Sequence, residues 1–235
     1  MNAVLDIDAP GLAGAITRKL LGPSAAVAAC TTDGSPGALF PQEEVSVRRA
    51  SIKRQREFAA GRGAARRAIA ELEMPPSAIP MRDDRAPQWP PGLVGSITHC
   101  DEICIAAVSR NVRARSIGID IEPSVPLDAN LLDIVCTPTE RKWLDKQHTR
   151  ARFRLAKLIF SAKEAAYKAQ YPLTGLAFDF HRLEVELDAT ERTFTARLTQ
   201  GNRVFPTDYK LRGKFSVEGG WIITAVTIQP LSIGY

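Results

Sequence analysis

Residues 117–122 read Ile117-Gly118-Ile119-Asp120-Ile121-Glu122, an alternation with the period of a strand rather than a helix. On a strand, residues i and i+2 project to one side, so Asp120 and Glu122 aim together while Ile119 and Ile121 pack behind. This strand (116–121) divides the chain. Before it, residues 51–73 carry a helical pattern closed by Met74-Pro75-Pro76, since proline cannot continue a helix. A proline-rich loop (79–92) leads to two short apolar runs, 93–98 and 103–109, that read as strands. After it, a helix is expected over 137–147, with Thr137 as cap and Pro138 in its first turn. A longer helix follows over 150–170, with Pro172 just beyond its end. The remainder alternates like antiparallel strands (183–187, 193–198, 214–218, 221–228), the last two joined by Gly219-Gly220 as a tight hairpin. Residues 1–45 are apolar with Gly and Pro punctuation and carry little signal.

Residues 103–109 (ICIAAVS) and 221–227 (WIITAVT) echo one another as second strands of hairpins. The fold class expected is α+β: two halves, residues 1–113 and 114–235, each a small antiparallel sheet packed with helices.

The composition bounds the rest. Of 235 residues, 45% are hydrophobic and 24% charged, ordinary for a globular protein that buries a core. No apolar run approaches the roughly 20 residues that span a bilayer, and the acidic first ten residues do not read as a secretory signal, so the location expected is cytoplasmic, with no membrane partner. Cys30, Cys100, Cys104 and Cys136 follow neither a disulfide framework nor a zinc spacing, and read as small buried thiols. The formal charge of +5 suits an anionic partner.

In residues 51–73, Phe58, Ala65, Ile69 and Leu72 make a core-facing stripe, and Arg54 and Arg62 lie on it. An arginine at a buried face is paired with an anion or bears a large desolvation cost, so these two point to a phosphate. Gly61 and Gly63 each cost about 1 kcal/mol in a helix, tolerable where a ligand or another backbone comes close. The other basic residues of 48–67 read as a solvated face. Gly95-Ser-Ile-Thr98-His99 closes a strand with hydroxyl, amide and imidazole donors, again suited to phosphate. Asp120 and Glu122 repel one another unless a cation lies between them; hard oxygen donors suit Mg²⁺, with Mn²⁺ possible. The competing reading is an acidic strand face in solvent. Phe153, Lys157, Phe160, Glu164 and Tyr167 fall at helical spacing, so Glu164 interrupts an aromatic file, with Lys168 four residues on. Glu164 is then a third metal ligand, a base with a tuned pKa, or half of a surface pair with Lys168.

Together, the arginine-bearing helix, W-P-x-G-x-x-G-S-x-T-H-C (89–100), G-I-D-I-E (118–122) and F-S-A-K-E-x-x-Y-K-A (160–169) resemble the EntD-like, Sfp-type 4′-phosphopantetheinyl transferases. The resemblance spans about residues 48–175. It implies two pseudo-symmetric halves with the active site between them, and transfer of the phosphopantetheine arm of coenzyme A to a serine of an acyl, polyketide or peptidyl carrier protein. It implies that Asp120, Glu122 and Glu164 hold Mg²⁺ and that Arg54, Arg62 and His99 surround the 3′-phosphate, with Thr98 nearby. Lys163 and Lys168 neutralise the pyrophosphate, Arg85 is the basic residue of the proline-rich loop, and Glu164 takes the serine proton. The carrier, small and acidic, is expected to dock transiently on a monomer near 127–143, through Leu131, Leu132 and Ile134.

Two other classes stay in view: a nucleic-acid-binding module using the basic helix, and another Mg²⁺-dependent phosphoryl-transfer enzyme. No nucleic-acid signature and no P-loop is present, so no nucleic acid is expected as a partner.

Overall fold

A computed structural model describes residues 8–32, 39–100 and 102–230. Helix α1 (Ala9–Leu21), strand β1 (Ala26–Thr31), helices α2 (Pro41–Val47) and α3 (Ile52–Glu71), and strands β2 (Leu93–His99) and β3 (Ile103–Arg110) come first. Strand β4 (Ser116–Pro123), helices α4 (Leu132–Val135), α5 (Pro138–Leu144) and α6 (Thr149–Thr174), and strands β5 (Leu183–Asp188), β6 (Thr193–Leu198), β7 (Lys210–Glu218) and β8 (Trp221–Ile228) follow. The strands form two antiparallel sheets, ordered β1-β3-β2 and β4-β8-β7-β6-β5. The fold is α+β, as expected.

Three apolar clusters hold it together. Ala64, Ala65, Ala68 and Ile69 of α3 pack on the first sheet at Ala26, Ala106 and Val108. Ala162, Ala165, Ala166 and Ala169 of α6 pack on the second, over Phe194, Ala196, Ile222 and Val226. Between the sheets, Ala13, Ile16 and Leu21 of α1 meet Ile103 and Ile105 of β3, Ile117, Ile119 and Ile121 of β4, and Ile223 of β8. The isoleucines behind Asp120 and Glu122 thus fill the central core, and the acids face α6.

Residues 1–45, unassigned from sequence, contain α1, β1 and α2. Their buried positions mix the small Ala13, Ala25 and Ala26 with Ile16, Thr17, Leu21 and Val27, amid Gly and Pro, which weakens any periodicity. The long helix also runs further than expected: Pro172 lies inside α6, not beyond it. Only one intrahelical hydrogen bond is lost so near the end, and Gly175 at φ 66° closes the turn by donating its N–H to Tyr171 O at 2.8 Å. Among the cysteines, Cys104 and Cys136 are buried as expected, but Cys30 and Cys100 are only half-buried; all four are free thiols.

A stronger internal repeat than the strand echo joins the halves. Glu43, in the first turn of α2 after Pro41, accepts hydrogen bonds from Phe40 N (2.9 Å), Ile79 N (2.8 Å) and Arg66 of α3 (2.8 Å). Glu140, in the first turn of α5 after Pro138, accepts them from Thr137 N, Val185 N and Lys163 of α6, each at 2.7 Å. In both, the cation follows the acid by 23 residues. Each buried acid ties a short helix, the following long helix and a distant backbone amide into one unit.

Candidate active site

The two sheets meet edge to edge. β2 is the last strand of the first sheet and β4 the first of the second, and the Ile119 N–H donates to Ser96 Oγ at 3.1 Å across the gap. A bare strand edge leaves backbone groups unpaired; here a side chain of the other sheet satisfies one. The expected site residues other than Lys163 lie along or beside this seam.

Gly118 lets α6 descend onto β4: a Cβ there would stand 1.9 Å from Ala165 O. The approach brings one stripe of α6, formed by Lys157, Ser161, Glu164 and Lys168 at spacings of four, three and four, over Asp120 and Glu122. Asp120 is 3% exposed. Its Oδ1 accepts from Lys168 Nζ (2.7 Å) and Thr98 Oγ1 (3.2 Å), and its Oδ2 from Ser161 Oγ (2.8 Å). Lys168 also donates to Thr98 Oγ1 at 3.2 Å, so one ammonium touches both sheets. Burial opposes the charge of Lys168, but the Asp120, Glu164 and Glu122 carboxylates outweigh it and raise its pKa. Glu122 pairs with Lys157. Its pKa is raised by burial first and by Asp120, against the hydrogen bond from Lys157. Glu164 has no hydrogen bond or ion pair among the described residues, and burial, aided by Asp120 and Glu122, raises its pKa against the pull of Lys168.

The second cluster adjoins the first at the C-terminal end of β2, where His99 follows Thr98. Arg54 Nη1 lies 3.2 Å from His99 Nε2 and 3.4 Å from Glu57. A guanidinium only donates, so His99 Nε2 accepts. Burial above all, then Arg54 and Lys168, lower the His99 pKa against the opposing pull of Glu57. Arg62 is 5% exposed; its Nε donates to Ile79 O at 2.6 Å and its guanidinium lies 4.1 Å from the centre of the Phe58 ring. Burial pushes its pKa down to about 10. The close approach at Gly61 is to protein: a Cβ would stand 2.9 Å from Ile97.

Arg85, at φ 68° in the turn 82–86, lines a hollow of about 250 Å³ with Trp89, Gly95, Ser96, Tyr167 and Lys168. This hollow opens between the halves.

One expected residue is elsewhere. Lys163 does not face the carboxylates: it is fully buried, donating to Glu140 Oε2 and Val135 O (2.7 Å each) and to Phe180 O (3.0 Å). Adjacent helical residues point about 100° apart, so Lys163 and Glu164 cannot both face β4. Lys163 is the brace of the second half, the counterpart of Arg66. Two polar residues of the stripe, Lys157 and Ser161, had no role assigned from sequence, though their spacing to Glu164 and Lys168 carried the signal. On the proposed docking segment, Leu131 and Ile134 are exposed (41% and 59%), as is Trp143, whereas Leu132 packs inward at 8%.

The donor set at Asp120, Glu122 and Glu164 is all hard oxygen, as Mg²⁺ prefers. Among the described residues no three such side chains converge as a ready-made cage, and lysines pair with two of the three carboxylates.

Comparison with known proteins adds the family. The profile of the 4′-phosphopantetheinyl transferase N-terminal domain matches residues 42–109, and that of the 4′-phosphopantetheinyl transferase superfamily matches residues 116–226. The chain is 40% identical over 203 residues to 4′-phosphopantetheinyl transferase Svp of Streptomyces mobaraensis, covering 83% of this chain and 81% of Svp. It is 38% identical over 195 residues to 4′-phosphopantetheinyl transferase PptT of Mycobacterium tuberculosis (80% and 86%). It is also 40% identical over 133 residues to enterobactin synthase component D of Escherichia coli (55% and 61%).

Proposed function

Since the chain belongs to the 4′-phosphopantetheinyl transferase superfamily, and so transfers the phosphopantetheine arm of coenzyme A to a carrier-protein serine, we propose that the seam between β2 and β4 is where it does so. The observation that carries this reading is Lys168, whose ammonium joins Thr98 of one sheet to Asp120 of the other.

Arg54, Arg62 and His99 take the 3′-phosphate, with Thr98 beside them; Arg85 guards the hollow where the nucleotide enters. Asp120, Glu122 and Glu164 would hold Mg²⁺, or Mn²⁺ in its place, through hard carboxylate oxygens. The metal, when bound, supplies positive charge to the pyrophosphate oxygens. Lys168 adds a fixed charge there and stabilises the leaving group. Glu164, free of a protein partner and with its affinity for a proton raised, accepts the proton of the carrier serine. The serine oxygen then bonds to the β-phosphorus, the bond to the bridging oxygen breaks, and adenosine 3′,5′-bisphosphate leaves.

We assign the 3′-phosphate contacts to residues 1–113, and the carboxylates and carrier docking to 114–235. Leu131, Ile134 and Trp143 form an apolar face for a transient, acidic carrier. The enzyme acts as a monomer, since both rims of the seam come from one chain, and its place is the cytoplasm, where coenzyme A and apo carriers meet. No helix of the described residues is long and apolar enough to cross a membrane. The test is intact mass of an apo acyl carrier protein, then a peptidyl carrier domain, incubated with the chain, coenzyme A and Mg²⁺, with a chelator control. One added phosphopantetheine per carrier, lost with the chelator and with Lys168→Ala, supports the assignment. Transfer undiminished in Lys168→Ala removes it.

A further inference from the structure

Of the two lysines expected beside the pyrophosphate, Lys163 is committed to Glu140, yet the site still holds two ammonium groups. Lys157 begins the polar stripe of α6, and its Nζ pairs with Glu122 while lying 4.9 Å from the centre of the Phe160 ring. Its side chain is 14% exposed. The arrangement repeats that of Lys168 on Asp120. Each acid of β4 is thus closed by a lysine of α6, and Glu164 stands apart.

An ammonium and a divalent cation compete for the same carboxylate oxygens. We propose that Lys157 is the resident counter-ion of Glu122, exchanged for the metal when the site loads, and that the freed ammonium becomes the second cation offered to the pyrophosphate. The inference rests on reading Glu122 as a metal ligand. Lys157 acts here as a positioning residue: it keeps Glu122 from repelling Asp120, and it weakens metal binding until the negative charge of the substrate offers the ammonium another place. Its position on α6, beside Ser161 and facing β4, keeps it within the site after release. The Phe160 ring, 4.9 Å from Nζ, steadies the ammonium in its pair with Glu122. Metal and substrate binding are coupled through this one side chain.

Mn²⁺ serves as the probe, measured with the full chain in the absence of coenzyme A. Free Mn²⁺ is followed by electron paramagnetic resonance for wild type, Lys157→Met and Lys157→Gln, with circular dichroism to verify folding. Loss of a positive neighbour and competitor tightens Mn²⁺ binding by about tenfold; unchanged or weaker binding overturns the exchange. A second arm needs no substitution: acylation of Lys157 in the wild-type chain, read by peptide mass spectrometry, rises several-fold with saturating Mn²⁺, relative to the exposed Lys53. A rate that does not rise overturns the proposal equally. A wild-type chain that binds no Mn²⁺ removes the metal reading and this one with it; binding without either change removes only this one.

Discussion

A methyl group on Gly118 would stand 1.9 Å from the carbonyl oxygen of Ala165 and 2.6 Å from the amide nitrogen of Ala169. Both obstacles are backbone, so no side chain can turn aside to admit it. Gly118 shares a strand face with Asp120, and the two alanines stand next in sequence to Glu164 and Lys168. One glycine therefore sets the depth at which the polar stripe of α6 meets the carboxylates of β4.

Gly118→Ala is expected to lower stability by about 1–3 kcal/mol, as overpacking does, and to lower transfer by about 10²-fold through misplacement of the stripe. Urea unfolding and single-turnover carrier modification separate the two effects. A variant that is less stable but transfers normally would make the contact purely one of packing.

Glu164 carries a folded pKa above its unfolded value, so the folded chain binds that proton more tightly. The stability this lends is present at low pH and is lost as pH rises through the folded pKa. Glu164→Gln removes the buried charge and is expected to stabilise the chain at pH 8 by about 1 kcal/mol, the gain shrinking toward the carboxylate range near about pH 4. Transfer falls by about 10²–10⁴-fold with loss of the base. Thermal unfolding across pH checks this; a variant less stable at pH 8 would mean the carboxylate is held by favourable partners.

Arg54 is half-exposed, and its side-chain partners among the described residues are Glu57 and His99, so its removal disturbs the fold less than that of Arg62. Arg54→Ala is expected to weaken coenzyme A binding by about 10-fold or more, as loss of a charge-assisted contact does, and to leave 3′-dephospho-coenzyme A nearly unaffected. Calorimetric titration of both ligands decides it. Equal losses would move Arg54 away from the 3′-phosphate.

Lys163→Met leaves Glu140 buried without its cation and is expected to cost about 3–5 kcal/mol. Coenzyme A affinity of the folded fraction stays at the wild-type value. Adding Glu140→Gln recovers part of the stability, because the uncompensated charge goes with it. A Lys163→Met chain of normal stability and weak coenzyme A binding would return this lysine to the pyrophosphate.

Much of this was legible in the sequence, and the gaps have physical causes. The IGIDIE alternation marked a strand with an acidic face because isoleucine and carboxylate differ so sharply, and the Pro75-Pro76 stop bounded α3. Helix α1 and strand β1 escaped because alanine and glycine give little contrast between inner and outer positions. The repeat built on Glu43 and Glu140 was hidden because Arg66 and Lys163 differ in type and only their spacing is shared. Lys163 was misplaced because its neighbour in sequence, Glu164, belongs to the seam, whereas a helix separates neighbours and unites residues four apart. That same rule points to Lys157 and Ser161.

The edge-to-edge meeting of β2 and β4 gives the chain a property neither sheet has alone. Thr98 and Asp120 are brought together only when the two sheets sit in register across the core they share, so transfer at the proposed seam reports on their alignment rather than on the integrity of either.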